Sequence, residues 1–142
     1  MIRKIDETIS VAPQISPADV TDLARAGFTA IINNRPDGEE MGQPDAAAIR
    51  TVAETLGLHY TEIPITHAGF SHPQLDAMNE AMAQAGGPVL AFCRSGTRSC
   101  NLWALARAKQ GDDPEALTDK AEAAGYDLSG VRAMMDALAG PR

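Results

Sequence analysis

The sequence predicts an α/β fold with a mainly parallel central sheet flanked by helices. Short apolar segments rich in valine, isoleucine and phenylalanine alternate with longer segments that carry helix-capping residues. Strands that alternate with helices of ten or more residues form βαβ units, and such units build parallel sheets. In these sheets ligands bind beyond the carboxyl ends of the strands, so we expect candidate functional residues there.

The N-terminal half predicts three strands and two helices. In chain order they are strands at 2–6 and 8–11, a helix at 18–26, a strand at 28–33 and a helix at 46–56. The strand at 28–33 (FTAIIN) is β-branched and apolar, which is typical of a buried strand. Ser16 followed by Pro17 marks a helix start, and Gly27 marks its end. Asp45 is predicted to cap the second helix.

The C-terminal half continues the alternation. The segment at 58–65 predicts a strand with partial alternation, and the segment at 89–92 predicts the shortest and most apolar strand. Four helices are predicted in this half. The first begins at Ser71 with Pro73 and ends near 85, and the second begins within 97–99 and ends near 110. The third begins at Asp113 with Pro114, and the fourth begins at Asp127 or Ser129.

Composition limits the possible partners. The 142 residues fit a single domain, with 110–142 as its C-terminal helices. The formal net charge of −7 argues against nucleic acid or an anionic membrane as the main partner, but it allows a local cationic pocket. No apolar stretch approaches the roughly 18–20 residues of a membrane span. Because two cysteines are too few for a disulfide scaffold, we expect a cytoplasmic protein with reduced thiols.

The segment PVLAFCRSGTRS, residues 88–99, is the strongest candidate for a reactive site. Cys93 stands at the carboxyl end of a strand, and the following residues open a helix. The first N–H groups of a helix lack intrahelical partners, so a loop that curls around the sulfur would turn them inward and bind an anion. Gly96 permits such a curl, and Arg94 and Arg98 add positive charge. Since the same features stabilise a thiolate, Cys93 is the predicted nucleophile.

Residues 93–99 are called the cysteine loop below. Its backbone and the Arg98 side chain are the predicted anion site, to which Ser95 and Thr97 belong. The Ser99 hydroxyl follows Arg98 directly, and we expect it to hydrogen-bond the sulfur.

The loop resembles two enzyme families. CRSGTRS resembles the rhodanese-type sulfurtransferase loop, Cys-x4-Arg, and also the cysteine-dependent phosphatase loop, Cys-x5-Arg followed by Ser or Thr, shortened by one residue. The chain from ISVAPQ through NNRPDGEE to the end of the Cys93 helix is similar to dual-specificity phosphatases. More narrowly, residues 1–110 resemble the bacterial beta-lactamase hydrolase-like family, phosphatase-like domain. The resemblance implies a protein-tyrosine-phosphatase-like fold; members are labelled sulfur transferases or phosphatases, and some are fused to a persulfide dioxygenase.

Two features favour sulfur transfer. The four-residue gap between Cys93 and Arg98 makes a smaller ring, which suits a persulfide better than a phosphoryl group with three equatorial oxygens. Phosphatases also supply a general-acid aspartate after the preceding strand. The corresponding segment, IPITHAGFSH, contains no carboxylate between Glu62 and Asp76. We therefore predict a sulfurtransferase that moves sulfane sulfur from thiosulfate or a small persulfide through a Cys93 persulfide.

Two other functions stay open at this point. One is a phosphatase that acts on a phosphoester through a phosphocysteine, and the other is a non-catalytic module that binds an anion or a partner. The favoured reaction requires a small anionic sulfur compound and a thiol acceptor, with no cofactor. The family resemblance adds a persulfide dioxygenase as a partner.

Other polar residues are weaker candidates. Thr66 or His67 occupies the neighbourhood of the missing aspartate, and we predict a catalytic or pocket-lining role for His67. His67 and His72 lack an accompanying cysteine or carboxylate cluster, so no metal is predicted. A pair between Arg35 and a carboxylate would fix the loop after the strand at 28–33, and the alternative is a solvated polar loop. The resemblance implies that Arg35 and Asp37 line the pocket. Cys100 is predicted to be a small buried helix residue, with a resolving thiol as the alternative.

Overall fold

In the computed structural model, which describes residues 1–141, the chain forms one five-stranded sheet flanked by six helices. The strands are β1 (Arg3–Lys4), β2 (Ile9–Ala12), β3 (Ala30–Asn33), β4 (His59–Glu62) and β5 (Val89–Phe92). Their order across the sheet is β1-β2-β5-β3-β4, and only β1 runs antiparallel to its neighbour. The predicted mainly parallel α/β fold is confirmed.

The helices cover both faces of the sheet. They are α1 (Pro17–Arg25), α2 (Ala46–Thr55), α3 (His72–Gln84), α4 (Thr97–Lys109), α5 (Pro114–Ala123) and α6 (Arg132–Ala139), with a short 3₁₀ turn at Ser129–Val131 before α6. Helices α1 and α2 pack on one face, and α3 to α6 pack on the other. No helix among residues 1–141 is long and apolar enough to cross a membrane.

Strand β5 lies at the centre of both core layers. Val89 and Ala91 face the layer that contains α3 to α6, whereas Leu90 and Phe92 face the layer that contains α1 and α2. Successive side chains of a strand point to opposite faces, so an entirely apolar strand is required where both faces are buried. Trp103 and its neighbours on α4 are buried in the layer that Val89 and Ala91 face.

Three predicted strands are shorter in the structure, and one of them, at 28–33, is reduced to Ala30–Asn33. The predicted strand at 58–65 is reduced to His59–Glu62, and Pro64 lies just beyond it with its nitrogen toward the open edge of the sheet. The chain nevertheless stays bonded to its neighbour, since the Ile63 N–H donates to the Asn33 carbonyl and the Ile65 N–H donates to the Asn34 carbonyl. The first predicted strand shrinks to Arg3–Lys4 at the sheet edge.

The parallel strands bring distant loops to one edge of the sheet. Cys93 follows β5, Asn34 and Arg35 follow β3, Gln14 follows β2, and the segment 63–70 follows β4. These carboxyl ends lie side by side, with Asn33 in register with Phe92 and Phe92 in register with Ala12.

Candidate active site

The cysteine loop turns a backbone N–H toward its own sulfur. Cys93 is fully buried, and its Sγ accepts a hydrogen bond from the Gly96 N–H at 3.1 Å. Gly96 is the residue directly before α4, and its φ of 90° lies in the left-handed region. The N-terminus of α4 therefore faces the sulfur, as predicted for a site that stabilises an anion.

A residue from the C-terminal part of the chain braces this turn. The Tyr126 hydroxyl donates to the Ser95 carbonyl at 3.2 Å, and a Cβ added at Gly96 would overlap that hydroxyl. Gly96 is thus required both by its backbone conformation and by the close approach of Tyr126. Ser95 and Thr97 are exposed, and their hydroxyls lie 3.2 Å apart.

Arg98 is held by a carboxylate from a different loop. Its Nη1 and Nη2 donate to the two Glu39 carboxylate oxygens, both at 2.7 Å, and Nη1 also donates to the Ile65 carbonyl at 2.8 Å. A guanidinium carries five N–H groups. Three are engaged, so one on Nε and one on Nη2 remain, and these two lie along one edge of the planar group. Hydrogen bonding to Glu39 is the largest cause that raises the pKa of Arg98, and the nearby Cys93 contributes to the same shift.

Arg35 is the buried centre of the loop that supplies Glu39. It is 2% exposed, and it donates to Glu39 at 2.9 Å, to Glu40 at 3.2 Å and to the Gln14 side chain at 3.1 Å. The pairing of Arg35 with carboxylates, one of the two sequence interpretations, is what the structure shows. Arg35 reaches the cysteine loop only through Glu39 and Glu40.

Glu39 is ionised over the whole ordinary pH range. Hydrogen bonds from Arg98, and then from Arg35, lower its pKa from 4.5 to about 2, against the opposing effect of burial. A carboxyl group in this state holds Arg98 in place but has no proton to give to a leaving group.

The Ser99 hydroxyl does not point its proton at the sulfur. It donates to the Asn34 side-chain oxygen at 2.8 Å, and both residues are fully buried. Asn34 in turn donates to the Ile63 carbonyl at 2.9 Å. The expected bond from Ser99 to Cys93 is therefore replaced by one that ties α4 to the end of β3.

Asp37 is also placed differently from the expectation. Its carboxylate accepts the N–H of Ala46, the first residue of α2, at 2.8 Å, whereas Asp45 makes no side-chain capping bond. Asp37 thus performs the capping role predicted for Asp45. It is exposed and caps a helix, and it does not line the pocket.

An open cleft of about 730 Å³ lies beside the cysteine loop. Its lining includes Glu39, Thr66, His67, Arg94, Arg98 and Asn101. His67, which follows β4, is exposed and lines this cleft. Arg94 is exposed as well, and its closest ion-pair partner is Glu40 at 3.6 Å.

The remaining cysteine and histidines are outside this arrangement. Cys100 is fully buried in the core, and burial raises the pKa of its thiol to about 12, which suits a packing role better than that of a resolving thiolate. His59 and His72 are both exposed. Among residues 1–141 no group of three or more histidine, cysteine, aspartate or glutamate side chains is arranged to hold a metal ion.

Sequence reasoning missed several residues that build the site. The acidic pair in NNRPDGEE is visible in the sequence, but nothing local indicates that Glu39 pairs with an arginine 59 positions later. The Tyr126 hydroxyl, the Gln14 amide and the Asn34 amide likewise act on partners that are distant in the chain.

Comparison with known proteins identifies relatives of this arrangement. The profile of the family "Beta-lactamase hydrolase-like protein, phosphatase-like domain" matches residues 1–110. The beta-lactamase hydrolase-like protein of Agrobacterium fabrum is 36% identical over 126 residues, which is 88% of this chain but only 29% of that relative. The chain therefore spans less than a third of the curated relatives it matches.

Solved structures give the same fold. A Neisseria meningitidis protein (nma1982), described as a candidate phosphatase, is 36% identical, with a TM-score of 0.83 over 96% of this chain and 97% of the other. Pseudomonas aeruginosa TpbA, solved as a cysteine-to-serine variant in complex with pTyr, is 18% identical, with a TM-score of 0.58 over 99% and 91%. At that identity the second likeness shows the fold alone.

The predicted sulfurtransferase activity is wrong on these findings. The Neisseria meningitidis protein, which is 36% identical and covered over 97% of its length, is described as a candidate phosphatase, and the more distant neighbours share its fold. The geometry explains why the ring-size argument failed. With only four residues between Cys93 and Arg98, the Gly96 N–H still reaches the sulfur and Arg98 still keeps two donors free.

The thiol acceptor loses its basis together with that reaction, and the relatives described above give no support for a persulfide dioxygenase partner. By contrast, the profile match over residues 1–110 and the 36% identity across most of the chain agree with the phosphatase-like sheet and its cysteine loop. The chain belongs to the beta-lactamase hydrolase-like protein, phosphatase-like domain family.

Proposed function

We propose that this protein is a cysteine-dependent phosphatase that hydrolyses phosphate monoesters through a phosphocysteine at Cys93. The observation that carries the proposal is the arrangement around the sulfur. A helix N-terminal N–H is directed at Sγ, and two N–H groups of Arg98, on Nε and Nη2, are not used by Glu39 or by the Ile65 carbonyl.

The free edge of Arg98 suits a phosphoryl group. Two parallel N–H donors on Nε and Nη2 match two oxygens of a phosphate bidentately. Glu39 and the Ile65 carbonyl occupy the other donors, so the guanidinium is fixed before substrate arrives. Fixing a donor in advance lowers the cost of ordering it in the transition state.

The chemistry then proceeds in two steps. The Cys93 thiolate attacks phosphorus, the ester P–O bond breaks, and the leaving oxygen takes a proton. Water next attacks the phosphocysteine, the S–P bond breaks, and inorganic phosphate and the thiolate are released. The backbone N–H groups of residues 94–99 and the Arg98 side chain bind the phosphoryl oxygens in both steps.

His67 is our proposed proton donor to the leaving group. Glu39 is the only carboxylate among the described residues that line the cleft, and its pKa of about 2 removes it from this role. His67 lies in the same cleft, and no hydrogen bond to another described residue occupies its imidazole. The imidazolium form would protonate the leaving oxygen, and the neutral form would then accept a proton from the attacking water.

The relatives support the substrate class. The Neisseria meningitidis protein is described as a candidate phosphatase, and TpbA was solved with pTyr in place. We infer from these likenesses, and from the site, that a phosphate monoester is the ligand of the cysteine loop in this chain as well.

A direct test is hydrolysis of 4-nitrophenyl phosphate and of a phosphotyrosine peptide. We expect turnover by the wild-type protein, none by Cys93→Ser, and unchanged turnover by Cys100→Ala, which removes the other thiol. Acid-stable phosphate trapped on the wild-type protein by rapid quenching would mark the phosphocysteine. Binding of phosphate with no turnover of either substrate would replace the proposal with a non-catalytic anion-binding module.

The role of His67 has its own test. His67→Gln should slow hydrolysis of an ester with a poor leaving group by about 10²–10⁴-fold, but should affect a nitrophenyl ester little. His72→Gln is the matched control, because His72 is an exposed histidine of the same segment that does not line the cleft. Equal losses for both esters would assign His67 to binding rather than proton transfer.

A further inference from the structure

The cleft is larger than a single phosphoryl group needs. Its volume of about 730 Å³ falls in the range of sites for small organic ligands, which is about 300–1,000 Å³. Arg98 lines one part of it. Arg94, His67 and Asn101 line other parts, and the substrate portion beyond the phosphoryl group has to meet them.

Arg94 differs from the other two arginines of the site in how its donors are used. Arg35 and Arg98 each make three hydrogen bonds to described side chains or carbonyls. Arg94 makes none, and its ion pair with Glu40 spans 3.6 Å between groups that are 64% and 50% exposed. An exposed pair at that distance contributes little and is easily exchanged for another partner.

Asn101 adds a second unused donor to the same cleft. It lies on α4 three residues after Arg98, and therefore on the same side of the helix. Its side chain forms no hydrogen bond with the described residues, although it is only partly exposed.

The charge in the cleft is positive and not internally neutralised. Its carboxylate, Glu39, is already saturated by two arginines, and Arg94 and Arg98 both carry full charges. A protein with a net charge of −7 thus presents a local cationic surface at its reactive cysteine. A dianionic phosphoryl group bound at Arg98 leaves the Arg94 charge available.

We propose that Arg94, assisted by Asn101, forms a second anionic subsite, and that the substrate is a small phosphate monoester carrying another phosphate or carboxylate group. This proposal rests on the proposed phosphatase function and narrows its substrate class. The scissile phosphoryl group binds at the cysteine loop, and the second anion displaces Glu40 from Arg94 and accepts its N–H groups. A charge-assisted hydrogen bond of this kind adds affinity without changing the chemical step.

The test compares a pair of substrates that differ in one charge, 4-carboxyphenyl phosphate and 4-carbamoylphenyl phosphate. The pair of 3-substituted isomers is tested as well, because the distance between the two subsites decides which isomer reaches both subsites. The variant is Arg94→Gln, and the control is Arg50→Gln. Arg50 is an arginine of similar exposure on α2 that lies outside the cleft.

In the wild type we expect a lower KM for a carboxylate ester than for its carbamoyl partner, and a difference that shrinks as ionic strength rises. Arg94→Gln should raise the KM of the carboxylate ester about tenfold with little change in kcat, and leave the carbamoyl ester within about twofold. Arg50→Gln should match the wild type. Equal effects of Arg94→Gln on both esters, or a wild-type preference for the carbamoyl ester, would overturn the proposal.

Binding to Cys93→Ser, measured by calorimetry with the same compounds, separates this proposal from the proposed function. If the wild type hydrolyses neither ester, the phosphatase proposal fails, and the subsite stands only if the carboxylate ester still binds more tightly in an Arg94-dependent manner. If both esters are hydrolysed and bound alike, the subsite fails while the phosphatase proposal holds.

Discussion

Replacing Glu39 with glutamine tests whether the fixed position of Arg98 matters for activity. The substitution keeps the size of the side chain and removes its charge. One amide atom, the oxygen, can still accept from Arg98 Nη2 and Arg35 Nε at the position of Oε1. The amide nitrogen then stands where Oε2 accepts from Arg98 Nη1 at 2.7 Å, so two donors face each other.

The expected magnitude follows from that lost contact. A hydrogen bond to a charged group contributes about 1.5–3 kcal/mol. If this free energy is lost from the orientation of Arg98 in the transition state, kcat/KM falls about 10- to 100-fold, at about 1.4 kcal/mol per factor of ten. The carboxylate is partly exposed, so the accompanying loss of folding stability should be smaller, about 1 kcal/mol.

The assay is steady-state hydrolysis of 4-nitrophenyl phosphate, with inhibition by inorganic phosphate measured in parallel. We expect Glu39→Gln to weaken both turnover and phosphate binding. Glu62→Gln is the control, since it makes the same change in charge at a residue that pairs with Arg50 and lies outside the cleft. Unfolding curves of all three proteins would show whether any loss reflects folding.

One result would refute the reasoning. If Glu39→Gln raises kcat/KM or binds phosphate more tightly than the wild type, Glu39 competes with the substrate for Arg98 instead of positioning it. An unchanged kcat/KM would show that the cysteine loop orients Arg98 without help from Glu39.

Three further predictions concern the groups around the loop. Gly96→Ala should destabilise the protein by at least about 1–2 kcal/mol in denaturant unfolding, because alanine disfavours a φ of 90° and its Cβ would overlap the Tyr126 hydroxyl. Adding Tyr126→Phe to this variant should restore part of the lost unfolding free energy. A loss under about 0.5 kcal/mol for Gly96→Ala would contradict the reasoning. Ser99→Ala should lower the unfolding free energy by about 1–3 kcal/mol, because it leaves the buried Asn34 oxygen without a donor; a loss confined to kcat would instead indicate a bond to the sulfur. Because the pKa of Glu39 is lowered from 4.5 to about 2, the contribution of its ionised form to folding stability should be complete above pH 4.5 and should fade as pH falls toward 2. The difference in Tm between the wild type and Glu39→Gln should therefore shrink in that window. A difference that stays constant down to pH 2 would contradict the assigned pKa.

The prediction from sequence worked where structure depends on neighbouring residues. The strand that ends at Phe92, the cysteine after it, the glycine turn and the helix from Thr97 are all local features, and their order alone puts Cys93 at a helix N-terminus. The alternation of strands and helices likewise predicts a parallel sheet, because βαβ connections leave few other arrangements.

The sequence did not determine the reaction. Loop length and the missing aspartate pointed to sulfur transfer, but the loop-length argument assumed how Arg98 sits relative to the sulfur. That position is decided by Glu39 and the Ile65 carbonyl, which come from two other strand ends. The relatives, which are phosphatases or described as candidates, agree with the arrangement that results.

The sequence by itself determined that Cys93 lies between a strand and a helix N-terminus and that backbone N–H groups turn toward its sulfur, because hydrogen bonds within a strand, a turn and a helix join residues close in the chain. Only the tertiary structure decided which side chains hold that site: Glu39 on Arg98, Tyr126 over Gly96, Asn34 on Ser99 and Asp37 on the start of α2. Most of these partners are separated by 31 to 65 residues. Their pairing depends on the sheet order that brings the carboxyl ends of β3, β4 and β5 together. Short-range sequence patterns do not indicate which polar groups meet there.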